Sequence, residues 1–275
     1  MESLHNWPVR LSYGAGTVAY WSKNVVCRLV VFVHGFRGYA VKTWMEFPSL
    51  LEEDATLGDC DLIYYGYDSP NYSVAVSGER LYRMLDWAGG DSGVLVDESL
   101  PPSAGRRGDG GSYWVIVVVA HSLGAVIARQ ALLLANERRR PWADRIRLLL
   151  FAPAHTGSDV VQMAATFLGV FKPLSPDMVK AGVELLWPVL KDLDVESETW
   201  KRLERDVEAA VPVGDGPHCL KAHAVLLGAE DRIVRPLRFG RDPSLVIIEG
   251  RDHVNICKPD RRYGDPLRAL MEALR

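Results

Sequence analysis

Trp114-Val115-Ile116-Val117-Val118-Val119-Ala120-His121-Ser122-Leu123-Gly124-Ala125-Val126-Ile127-Ala128-Arg129 decides how this chain folds. The first half is an unbroken apolar run rich in β-branched residues, the composition of a strand buried on both faces of a parallel sheet. The second half places Leu123, Val126, Ile127, Leu132 and Leu133 at helical spacing, which predicts a packed helix. Between them stands Ala120-x-Ser122-x-Gly124. A serine on so tight a strand-to-helix turn has a strained backbone and projects above the sheet edge. Small residues are needed two before and two after it, because strand end and helix start nearly touch. Ser122 is therefore a candidate nucleophile. The competing reading, a serine that only caps the helix, is set aside because a strand precedes it and a helix follows.

On the amino-terminal side, Arg28-Leu29-Val30-Val31-Phe32-Val33 reads as a second buried strand that stops at His34-Gly35-Phe36-Arg37-Gly38. Glycines just past a strand let the backbone turn sharply and leave amides unpaired. An oxyanion hole needs such fixed donors, aimed at charge that appears only in the transition state. An ordinary βα turn would look the same. The oxyanion reading is preferred because this loop and Ser122 both fall at the carboxyl ends of parallel strands, where open α/β sheets bind ligands.

The remaining chain predicts a helix over 41–53, a strand over 61–65, a helix over 74–87, a strand over 147–153, a strand over 223–228, a strand over 245–250 and a helix over 266–274. Residues 1–24 offer an edge strand or hairpin with Gly14-Ala15-Gly16 as its turn. This alternation predicts an α/β fold with a doubly wound, mostly parallel sheet. Residues 89–112 are an aperiodic Gly-, Ser- and Pro-rich connection, and the run Glu137-Arg138-Arg139-Arg140 reads as a solvated helix end. Residues 160–211 show no strand signal and read as helices over 160–171, 176–190 and 196–210, the first two strongly apolar. The expectation is one domain over 1–275, with 155–218 as a helical cap inserted after the strand that ends near Pro153.

The bulk composition narrows the function. The 32 basic and 35 acidic side chains nearly balance, which gives no attraction to nucleic acid. The four cysteines (Cys27, Cys60, Cys219 and Cys257) have no metal-ligand spacing, and Cys27 and Cys60, at the starts of apolar strand-like runs, read as buried free thiols, which fits a reducing compartment. The amino terminus lacks a signal-peptide core, and no apolar run reaches the roughly 20 residues of a membrane span. The expected location is the cytoplasm. H-E-x-x-H and G-x-x-x-x-G-K are both absent, and no metal or cofactor is expected.

A serine hydroxyl needs a base within hydrogen-bond reach, and that base needs a carboxylate to fix its tautomer. On this fold the chain order is Ser, then acid, then His, with the last two after late strands. Asp231 and His253 fit, with Asp159 and His155 as rivals on the loop after 147–153; Glu230 and Asp252 adjoin the chosen pair. His5, His218 and His223 lie in irregular or strand segments, while His34 and His121 adjoin the proposed oxyanion loop and nucleophile.

Val31-Phe32-Val33-His34-Gly35-Phe36, Ala120-His121-Ser122-Leu123-Gly124, Ala152-Pro153-Ala154-His155-Thr156-Gly157-Ser158, Gly228-Ala229-Glu230-Asp231-Arg232-Ile233-Val234 and Asp252-His253 together resemble serine hydrolases of the α/β-hydrolase fold. Within that fold they are similar to the lipase- and esterase-like branch related to GPI inositol-deacylases. The resemblance implies Ser122 as nucleophile, Asp231 as acid, His253 as base, and the Phe36 and Leu123 amides as oxyanion hole. His34, Gly35, Arg37, His121 and His155 are expected to line the substrate. Ala120 departs from the commoner glycine at its position. The implied activity is hydrolysis of a carboxylic ester with an apolar or lipid-like acyl group, with transient membrane or micelle contact through the cap. An acyltransferase or thioesterase would use the same residues, and a silent binding module would leave them idle.

Overall fold

The computed structural model describes residues 9–12, 14–22, 26–53, 60–68, 72–89, 113–154, 198–214, 216 and 218–275. Their strands are β1 (Val9–Ser12), β2 (Val18–Trp21), β3 (Arg28–Val33), β4 (Asp61–Tyr65), β5 (Val115–His121), β6 (Ile146–Phe151), β7 (Ala222–Gly228) and β8 (Val246–Ile248). They join in one sheet of eight, ordered β1-β2-β4-β3-β5-β6-β7-β8. β2 pairs antiparallel with both β1 and β4, and every other pairing is parallel. The described helices are α1 (Phe47–Glu53), α2 (Val74–Gly89), α3 (Leu123–Glu137), α4 (Glu198–Ala210) and α5 (Asp265–Ala273). α2 packs on α3, α3 on β3 and β5, and α5 on β5, β6 and α1.

The strand order reverses at β3: the chain goes out to β4 on one side and returns to β5 on the other. Loops leaving β3 and β5 therefore diverge at the carboxyl edge of the sheet, the edge at which sheets of this topology bind ligands. The central strands are what their composition requires. Leu29 to Val33 and Ile116 to Ala120 are all fully buried, so alternation gives way to continuous apolar runs. Phe32 stacks flat on Tyr64 at 4.5 Å and meets Phe47 edge-on at 5.3 Å, filling the space under the β3 end. Arg129, on the buried face of α3, is paired with Asp242 and donates to the Leu220 carbonyl. Asp242 also accepts from the Ala222 amide at 2.9 Å, so one ion pair ties α3 to the start of β7.

Four expectations change. The helix expected over 41–53 is a short 3₁₀ turn at Lys42–Trp44, then Met45 with φ 50°, then α1. Pro48 explains the break: it lacks an amide proton and is tolerated only in the first turn of a helix. The arginines after α3 are not simply solvated. Arg138 reaches Glu79 at 3.2 Å and lies over the Tyr82 ring, and Arg140 reaches Asp86 at 2.6 Å, so both staple α3 to α2. The last strand is shorter than expected, and Val246 and Ile247 on it are exposed, as befits an edge. All four cysteines are free thiols, but Cys27 is only half-buried. The cap helices expected over 160–171 and 176–190, and almost all of the 89–112 connection, lie outside the described residues. Among the described residues no helix is long and apolar enough to cross a membrane.

Candidate active site

β5 ends at His121, and α3 begins at Leu123. Ser122 alone makes the corner, with φ 53° and ψ −122°. A non-glycine residue at positive φ is costly and persists only where its surroundings over-determine it. They do so here. The Ser122 amide donates to the Phe151 carbonyl at 3.0 Å, and its own carbonyl accepts from Ala125 at 3.0 Å and Ala154 at 3.2 Å. Gly124 explains the small residue two positions on: a Cβ there would lie 2.3 Å from the Val33 carbonyl oxygen and 2.5 Å from that of His34.

Two late loops bring the partners. The β7 end turns at Gly228, where a Cβ would sit 2.1 Å from the Arg251 carbonyl oxygen, so glycine permits the 228–231 and 251–253 segments to touch. Asp231 Oδ1 accepts from the Ile233 and Val234 amides at 2.8 and 3.0 Å. Its Oδ2 faces His253 Nδ1 at 2.9 Å, and His253 Nε2 lies 2.9 Å from Ser122 Oγ. The His253 loop is itself locked, since Asp252 Oδ1 accepts from the Val254 and Asn255 amides and Asn255 Oδ1 accepts from the Asp252 amide, each at 2.8 Å. Burial pushes the Asp231 carboxyl up, but the His253 bond and charge and the two backbone amides outweigh it and hold it below the ordinary carboxylate range. An ionised acceptor on Nδ1 requires the proton there, which leaves Nε2 to accept from the serine hydroxyl.

The loop after β3 closes the other side. His34 is buried, its Nδ1 donates to the Gly35 carbonyl at 2.7 Å, and its ring stacks on Tyr67 at 4.3 Å. The Tyr67 hydroxyl donates to the His34 carbonyl at 2.7 Å. A Cβ on Gly35 would come within 3.0 Å of both His121 Nδ1 and Ser122 Cβ. His121 is buried too, and its Nε2 donates to the His253 carbonyl at 2.8 Å. Burial lowers both imidazoles, His34 to about 4 and His121 to about 3, so both are neutral near pH 7. Leu123 opens α3, so its amide is one of the first-turn donors without an intrahelical acceptor.

The sequence of the alpha/beta hydrolase family, as a family pattern, matches residues 30–261. The chain belongs to that family. Among curated proteins none has a matching sequence. Solved structures share the fold at low identity. Bacillus licheniformis lipase BlEst2 is 13% identical with a TM-score of 0.55, over 94% of this chain and 98% of that one. Phospholipase PlaB from Legionella pneumophila is 18% identical with a TM-score of 0.58, over 91% of this chain and 58% of that one. YbtT, a type II thioesterase from a yersiniabactin biosynthetic pathway, is 16% identical with a TM-score of 0.52, over 94% of this chain and 99% of that one.

In this alpha/beta hydrolase Ser122, His253 and Asp231, distant along the chain, form one hydrogen-bonded row. Of the residues expected to line a substrate, His34 and His121 are buried with their side chains bonded to the Gly35 and His253 carbonyls, and Gly35 lies against His121 and Ser122. Arg37 is exposed on the loop after β3, with φ 51°. His155 and the rival acid Asp159 lie outside the described residues. Tyr67, which clamps the loop after β3, was not singled out from sequence; its one signal is an aromatic just past a buried parallel strand. Among the described residues no group of three or more His, Cys, Asp or Glu could hold a metal ion.

Proposed function

We propose that this protein is a serine hydrolase that cleaves a carboxylic ester through an acyl-enzyme on Ser122. The observation that carries the reading is the row Ser122 Oγ–His253–Asp231, with both links at 2.9 Å and the serine held at positive φ. His253 Nε2 takes the hydroxyl proton as Oγ attacks the ester carbonyl, and the imidazolium is steadied by the ionised Asp231. The Phe36 and Leu123 amides receive the developing oxyanion, and His253 returns its proton to the leaving alcohol. Water, deprotonated by the same imidazole, then releases the acid.

The substrate we propose is an ester with an apolar acyl group, presented at a lipid or micelle surface. Its support is the apolar composition of residues 160–190 and the sequence resemblance to the GPI inositol-deacylase-like branch. We place those residues in a cap over the Ser122 site, within a single domain. Free thiols at all four cysteines accord with action in the cytoplasm. A thioester or an acyl acceptor other than water would engage the same residues, and product analysis with water, alcohol and thiol acceptors separates these.

The test is labelling by a fluorophosphonate together with hydrolysis of p-nitrophenyl esters graded in chain length. Ser122→Ala should abolish both, with turnover falling by about 10⁴-fold or more and the melting temperature little changed. Labelling and turnover retained in that variant would overturn the reading, and a rate indifferent to chain length would overturn the apolar acyl class.

A further inference from the structure

A second concave site lies at the opposite edge of the sheet. A cavity of about 310 Å³ opens at the amino ends of β6 and β7, walled by Ile146 and Pro243 and lined by Arg147, His218, Lys221 and His223. β7 runs seven residues from here to the carboxyl edge, so roughly 20 Å separates this cavity from Ser122. Among the described residues the lining carries four nitrogen bases and no carboxylate. Arg147 and Lys221 are half-buried, and among the described residues neither makes an ion pair. Elsewhere among the described residues Arg129, Arg140 and Arg251 each face a carboxylate, while the half-buried Arg145 donates to the Tyr113 carbonyl instead. Two cations that share a concavity without a counter-charge are the electrostatic complement of a dianion.

We propose that this cavity is a binding site for a small phosphate monoester, separate from the Ser122 centre. The two fixed charges match the two negative charges of a phosphomonoester near neutral pH. The volume is at the low end for organic ligands and exceeds what a bare oxyanion fills, and Ile146 and Pro243 offer apolar contact to a short carbon portion. The imidazoles make the site pH-sensitive. Burial lowers His218 against the pull of Asp144, and burial and then Arg147 lower His223 against the pull of Glu272. A bound dianion favours their charged forms, so by linkage it raises their midpoints.

Titration calorimetry and imidazole proton NMR on the full chain test this, with glycerol 3-phosphate, inorganic phosphate, glycerol and potassium chloride as probes at matched ionic strength. Glycerol 3-phosphate should saturate, bind more tightly than inorganic phosphate, and move the His218 and His223 midpoints upward, while glycerol and chloride do neither. Arg147→Gln combined with Lys221→Gln should weaken it by about tenfold or more without changing the melting temperature in plain buffer. No saturation up to about 10 mM, or affinity indifferent to the substitutions, overturns the site. Equal affinity for inorganic phosphate overturns the monoester assignment.

Discussion

His121 sits beside Ser122, the proposed nucleophile, yet spends its only donor on the backbone carbonyl of His253, the proposed base, 2.8 Å away. The two rings are 5.1 Å apart, so a charge on one opposes a charge on the other. Because burial and the neighbouring His253 drive His121 down to about 3, it is neutral whenever His253 must accept a proton. Its place in the proposed mechanism is that of a positioning residue, tying the His253 loop to the strand that leads into Ser122. His121→Phe keeps a ring but leaves the His253 carbonyl without its donor, and kcat/KM for ester hydrolysis should fall about tenfold, in kcat rather than KM. His121→Gln retains a donor and should recover part of that loss. Equal rates in the Phe variant and the parent, or equal loss in Phe and Gln, would assign the residue a packing role only. The pH midpoint of kcat/KM gives an independent readout, because a loosened loop alters what surrounds the base.

At the level of elements, the elbow was legible because steric necessity and composition agree there. The sequence Ala120-x-Ser122-x-Gly124 asks for small flanks, and the distances supply the reason: a Gly124 Cβ would penetrate the β3 carbonyls at 2.3 and 2.5 Å. Gly124→Ala should therefore part α3 from β3, costing about 2 kcal/mol or more, since the obstructing atoms are backbone and cannot swing aside. Urea denaturation measures that loss, and an unchanged midpoint would show that the helix start has room. Asp231 and His253 were also within reach of sequence, since chain order and strand ends constrain them. Contacts between side chains on separate elements were not. Tyr67 reaches His34 across 33 positions, and nothing local announces the stack. Arg129 does carry a signal, standing at helical spacing from Ala125, Val126 and Leu132 on the buried face, but its partner Asp242 is 113 positions away. The break at Met45 was written in Pro48, whose ring the apolar spacing of residues 41–53 obscures.

Across the whole molecule, the groups that build the Ser122 site also set how the protein responds to acid. His34 and His121 are neutral in the fold, with midpoints at about 4 and about 3, whereas an unfolded histidine titrates near 6.5. Below that ordinary value the unfolded chain binds protons that the folded chain refuses, so stability drops as pH falls, from about 6.5 until each folded midpoint is reached. Each histidine adds up to about 1.4 kcal/mol per pH unit within its window. Asp231 acts in the same direction but lower: its depressed carboxyl stabilises the fold above the ordinary carboxylate value of 3.8 and loses that contribution as pH falls through the folded midpoint. His218 and His223 are also held down, but they are more exposed and contribute less. Urea midpoints taken from about pH 7 to about pH 4.5 should fall steeply in the parent, and His34→Gln with His121→Gln should flatten the slope even if it lowers the plateau. An unaltered slope in the double variant would mean that these two imidazoles take up protons without unfolding, and the loop after β3 would then have to open to let them. The expected flattening would place acid sensitivity in the residues that hold Gly35 and His253 against Ser122, so the site would be lost together with the fold rather than before it.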